Sequence, residues 1–209
     1  MTAPDPSSVR KYTPNAHSFF HDLALFLSSL AANLVVAEAF RSGGQTRICS
    51  DPLYYMQFEP CSLSTELTWY PQDALRAFAQ NSWPTEIVLH ENLVHPRSPA
   101  FAISSAEAKT LHAVALQSAF LRYFESTRAK VEMKYGKDYF GWPSEWNFAR
   151  IVRNAFAHAG VLTFQNLSSQ PVSWRMLTYG PSLQGRQIIF QDMSFVEVLS
   201  LLEDLHAAL

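Results

Sequence analysis

Cysteine is scarce in this chain: Cys49 and Cys61 are the only two among 209 residues. They lack Cys-x-x-Cys spacing, and no second pair completes a four-ligand zinc site. At most one disulfide can form; free buried thiols in a reducing cytosol are the expectation. An excess of charge is also lacking. Sixteen Lys and Arg stand against eighteen Asp and Glu, for a net charge of −2. No global field therefore draws the chain to nucleic acid or to an anionic membrane, and any nucleic-acid site must be a local patch. Long hydrophobic runs are missing as well. The apolar stretch at 23–36 is broken by Ser28, Ser29 and Asn33, and reads as too short and too polar to span a bilayer. The polar start, with Pro4, Pro6, Ser7 and Ser8, does not read as an export signal. A cytoplasmic protein with no membrane partner is expected. No P-loop, dinucleotide-binding glycine pattern or serine nucleophile elbow is present.

What is there reads as helix. About half of the residues are hydrophobic, enough to bury one sizeable core. Residues 1–14 look like a disordered arm, and 15–209 like a single, mainly α domain. Phe19, Leu23, Phe26, Leu27, Leu30 and Leu34 recur at helical spacing, predicting a helix over 17–40 that Gly43 and Gly44 stop. A second helix is expected over 104–135, opened by a capping box of Ser104 and Glu107 and closed by Gly136. A third is expected over 144–159, with Ser144 as N-cap and Gly160 past its end. A fourth follows a second capping box, Ser194 with Glu197. Residues 161–164, 172–179 and 186–190 read as short strands, a small β-hairpin element before the last helix. The segment 45–103 holds six of the twelve prolines. It reads as an irregular lobe, with short strands at 54–58 and 86–90 and a short helix at 71–80.

Chemistry concentrates on the third helix. At 100° per residue, Phe148, Ile151, Val152, Ala155, Phe156 and Ala159 form a core-facing stripe. Arg150, Arg153, Asn154, Ala157 and His158 lie opposite, within an arc of roughly 140°. That face has two guanidiniums, an amide and an imidazole, and no acid of its own, unlike an ordinary solvated helix face. Arginines can hold the non-bridging oxygens of a phosphodiester and stabilise charge developing there. An imidazole can move a proton to or from a 2′-hydroxyl or a leaving oxygen. Asn154, one turn before His158, is placed to orient it or a ribose.

The run Arg153-Asn154-Ala155-Phe156-Ala157-His158, followed by Gly160, resembles the signature of HEPN domains: an Arg, often followed by Asn, and a His after a gap of four to six residues. Such domains are all-helical bundles, and many are metal-independent ribonucleases of toxin, phage-defence and RNA-processing systems. The resemblance covers the four helices and leaves 45–103 unexplained. It implies catalytic roles for Arg153 and His158, with Asn154 in support. Arg150 lies outside the motif and is read as an RNA phosphate-binding residue. It also implies a homodimer, its axis close to the small residue Ala157. One subgroup has Tyr where this chain has Gly160. Arg10 and His17 match the same spacing, but Pro14 separates them, so they cannot share a helix.

The expectation is thus a HEPN-like endoribonuclease that uses no cofactor or metal and acts on RNA, a toxin or phage-defence component restrained by a cognate antitoxin protein. The alternative is a non-catalytic binding or regulatory module of a two-protein system. Elsewhere, His90-Glu91-Asn92-Leu93-Val94-His95 has one residue too many for the zinc-protease motif, and its histidines cannot easily share a metal. His112 reads as a satisfied core histidine, and Trp69, Trp83, Trp142, Trp146 and Trp174 read as packing.

Overall fold

A computed structural model describes residues 9–44, 54–92, 106–166 and 169–209. The backbone groups into two compact units: Met1–Glu59 with Thr65–Ala115, and Pro60–Ser64 with Leu116–Leu209. The chain is mainly helical but not all-α, since a four-stranded antiparallel sheet accompanies the helices.

The first unit contains that sheet, in the order β1-β4-β3-β2. Its strands are β1 (Val9–Tyr12), β2 (Met56–Phe58), β3 (Leu67–Trp69) and β4 (Ile87–Glu91). Three of the four, with helix α2 (Gln72–Ala79), come from the proline-rich segment expected to be irregular. The expected arm is also corrected. Val9 pairs with His90 and Tyr12 with Ile87, and Arg10 forms an ion pair with Glu91, 81 residues further along the chain. Tyr12 is buried, edge-on to the rings of His17 and Phe19. A four-residue strand carries no readable period, and its partner is distant in sequence. Helix α1 (Phe20–Ser42) buries Leu23, Phe26, Leu27, Leu30 and Leu34, as their spacing predicts, and Phe19, the first residue of that stripe, is buried at the N-cap. Gly43 caps it in the left-handed region, φ +69°, its N–H donating to the Ala39 carbonyl. By length and composition, Phe20–Phe40 is long and apolar enough to cross a membrane, with a mean hydropathy of 1.9. The stretch at 23–36, too short by itself to span a bilayer, is only the middle of this longer segment.

Helix α3 (Ala106–Tyr135) contributes residues 106–115 to the first unit and 116–135 to the second. In the first, His112 is largely buried and stacked on Phe26 at 5.3 Å, and burial pushes its pKa down to about 4. Ser104, of the first expected capping box, lies outside the described residues, as do Cys49 and His95.

The second unit packs the later part of α3, α4 (Ser144–Ala157), the hairpin β5 (Val172–Trp174) and β6 (Leu177–Tyr179), and α5 (Phe195–Ala207). Trp146, wholly buried, meets the rings of Tyr123 and Phe124 from α3. Phe156 meets Phe120 edge-on at 5.4 Å, and Phe148 stacks on Tyr179 at 4.9 Å. The hairpin before the last helix is as expected. The flanking strands are not: 161–164 and 186–190 hold only isolated bridges, Val161 to Gln187 and Ile189 to Met193.

The second capping box forms in full. Glu197 accepts from the Ser194 N–H at 2.8 Å, and the Ser194 hydroxyl accepts from the Val196 N–H at 3.1 Å. The other Glu197 oxygen accepts the backbone N–H groups of Cys61, Ser62 and Leu63 at 2.8, 2.7 and 3.0 Å. One buried carboxylate thus starts α5 and anchors the Pro60–Ser64 segment to it. Cys61, expected to be buried, is exposed on that segment.

Candidate functional site

Helix α4 has the two faces expected of it. Phe148, Ile151, Val152, Ala155 and Phe156 are buried, and Arg150, Arg153, Asn154, Ala157 and His158 are not. Its ends differ from the sequence reading. Pro143, in extended conformation at φ −54° and ψ 153°, is the N-cap; Ser144 is the first helical residue and turns its hydroxyl to the Glu145 carboxylate. At the other end the helix stops at Ala157. Ala159 has left-handed φ, +56°, and is exposed, so it is not part of the core stripe. Gly160 is required there: φ is +83°, and a Cβ would lie 2.8 Å from the Ile189 side chain.

The polar face of α4 forms one wall of a cleft of about 650 Å³ within the second unit. Four cations line it: Arg150 and Arg153 from α4, Arg128 from α3, and Lys137 from the connection between them. Among the described residues no Asp or Glu lines it. Tyr139 and Phe140, on a 3₁₀ turn (Tyr139–Gly141), form another part of the wall.

Arg150 is half-buried, its guanidinium 4.1 Å from the centre of the Tyr139 ring. Burial lowers its pKa, while the Tyr139 side chain acts in the opposite direction. Its Nε is buried without a hydrogen-bond partner, and its charge has no ion-pair partner among the described residues. Lys137 is exposed and likewise has no ion-pair partner among the described residues. Arg128 is paired with Glu132, one turn on.

Arg153 is not free of acids, as its helix face alone suggests. Its Nε donates to Glu125 Oε1, on α3, at 2.6 Å. The helical wheel of α4 cannot show an acid that a neighbouring helix supplies. Asn154 has a different role from the one expected. Its amide donates to the Thr163 carbonyl and hydroxyl oxygens, both at 2.8 Å. It thereby ties α4 to the segment after it instead of orienting His158.

His158 is the C-cap of α4, exposed, with φ −116° and ψ 45°. Its N–H donates to the Ala155 carbonyl, and its carbonyl accepts from Val161. The imidazole lies outside the cleft lining. The structure thus brings Arg150, Arg153 and Asn154 together, leaves His158 at the helix end beside them, and adds Arg128, Lys137, Tyr139, Phe140 and Glu125. None of these five was singled out from sequence. The adjacent aromatic pair in the polar connection after Gly136 was the one local signal. No family model, curated protein or solved structure matches this chain.

Proposed function

We propose that the cleft beside α4 binds RNA through its phosphates, and that the chain is a HEPN-type endoribonuclease. One observation carries the proposal: four cationic side chains, with aromatic rings beside them, line a single cleft from which carboxylates are absent among the described residues. That combination suits a polyanion whose bases are unpaired. In the proposed reaction the 2′-hydroxyl attacks the adjacent phosphorus and gives up its proton to a base, for which His158 is the candidate. The bond to the 5′-oxygen breaks, and that oxygen takes up a proton. The products are a 2′,3′-cyclic phosphate and a 5′-hydroxyl. Arg153 stabilises the charge that develops on the phosphoryl oxygens. The exposure of Ala157, His158 and Ala159 favours a homodimer in which two such helix ends meet and a second imidazole is supplied.

A specific observation favours a second reading, a non-catalytic binding or regulatory module. Arg153 is occupied by Glu125 and His158 lies outside the lining, so the cleft as it stands can hold a phosphate without a base beside it. One experiment separates the two. Purified protein is incubated with single-stranded RNA in EDTA, and binding and cleavage are followed together. Cleavage that is lost in His158→Ala while binding persists supports the ribonuclease. Binding without cleavage in the wild type supports the module. Neither binding nor cleavage sinks both.

A further inference from the structure

We infer that the Tyr139–Gly141 turn is a stacking platform for one unpaired nucleobase, with Phe140 as the ring the base lies on. The inference deepens the proposed function and rests on reading the cleft as a phosphate site. Phe140 is 79% exposed, which leaves most of an aromatic ring in water. Its ring leans on Tyr139, centroids 4.5 Å apart at 34°. Tyr139 in turn carries the Arg150 guanidinium at 4.1 Å. Tyr139 thus has both the Phe140 ring and the Arg150 guanidinium against it, which puts an exposed ring and a cation within one side chain of each other.

The platform is built to stay in place. The Asp138 carboxylate accepts from the Phe140 N–H at 3.0 Å, and the Trp142 N–H donates to the Tyr139 carbonyl at 3.1 Å. The buried Trp142 indole N–H donates to the Gly136 carbonyl at 2.8 Å, and the Asn147 amide donates to the Trp142 carbonyl at 3.0 Å. A turn held on both sides loses little further freedom when a ligand binds.

The charge beside it selects the ligand. Lys137 and Arg150 line the same cleft without ion-pair partners among the described residues, so an aromatic ligand that carries an anion is favoured over a neutral or cationic one. A volume of about 650 Å³ is in the range of small-molecule sites. It takes one nucleotide, not a duplex, whose bases are in any case already stacked. The ligand class is thus a nucleoside monophosphate unit, free or within a single strand.

The test titrates the full chain with AMP, with ribose 5-phosphate and with inorganic phosphate, by calorimetry. AMP should bind about tenfold more tightly than ribose 5-phosphate, the scale of one base stacked on one ring. Phe140→Ala should bring AMP down to the level of ribose 5-phosphate and leave the latter unchanged. Phe140→Trp should retain the preference for AMP. Equal binding of AMP and ribose 5-phosphate to the wild type overturns the inference, as does an AMP preference that survives Phe140→Ala. An AMP preference lost in Phe140→Ala, in a protein that neither binds nor cuts single-stranded RNA, supports the platform and removes the ribonuclease reading alone.

Discussion

Arg153 and Glu125 hold each other across the packing of α4 on α3, the arginine Nε donating to the carboxylate at 2.6 Å. Their side chains are 37% and 43% exposed. An ion pair this wet contributes only about 0–1 kcal/mol to stability. A phosphate can therefore compete for the guanidinium at modest cost.

Glu125→Gln should accordingly leave thermal stability almost unchanged and strengthen binding of single-stranded RNA several-fold. The gain comes from a released guanidinium and from removal of a negative charge beside the cleft. Fluorescence anisotropy at two salt concentrations checks it. Unchanged or weaker binding would mean that Glu125 positions Arg153 instead of competing for it.

The two faces of α4 should respond in opposite ways to substitution. His158→Ala removes an exposed ring and should change stability by no more than about 0.5 kcal/mol, while abolishing the proposed cleavage. Phe156→Ala removes a buried ring that meets Phe120, and should cost about 3–5 kcal/mol. Denaturant unfolding and an RNA cleavage assay, run on the same preparations, separate the effects. Full activity in His158→Ala would exclude that residue as the base.

Acid should act on Glu197. Burial alone raises its pKa, but the hydrogen bonds from Ser62, Leu63 and Ser194 outweigh it and the net shift is downward. A carboxylate with a depressed folded pKa contributes stability that is complete above its ordinary value of 4.5. That contribution is lost as pH falls through the folded value. Glu197→Ala should cost about 3 kcal/mol near neutral pH, because buried N–H groups lose their acceptor. Glu197→Gln should flatten the decline of stability below about pH 4.5. A decline as steep in Glu197→Gln as in the wild type would contradict this account.

His112 should add a second acid dependence at higher pH. Its folded pKa of about 4 lies below the ordinary 6.5, because burial opposes the charged ring. The folded state thus takes up a proton later than the unfolded state does. Stability is full above pH 6.5 and falls toward pH 4, by about 3 kcal/mol over the whole window. His112→Phe should remove that slope. Stability measured by urea unfolding between pH 4 and 7 decides it, and an unchanged slope would place the titration elsewhere.

Much of the helical architecture was legible from periodicity. The stripe of α1, that of α4 as far as Phe156, and the Ser194–Glu197 box are local features, and each appears where its spacing puts it. The four-stranded sheet was only partly legible. The expected strands at 54–58 and 86–90 correspond to β2 and β4, but β1 and β3 fall outside the expected strands, and β1 depends on a partner some 80 residues away.

The sequence by itself determined that Arg150, Arg153 and Asn154 share one side of a helix, because helical geometry fixes the angles between positions on one element. Only the tertiary structure decided what those side chains meet. Glu125 reaches Arg153 from α3, Thr163 takes the Asn154 amide, and Tyr139 carries the Arg150 guanidinium. The end of α4 at Ala157 leaves His158 outside the cleft. Each of these depends on how separate segments pack. Packing is set by the whole buried surface and not by the spacing of residues along any one segment.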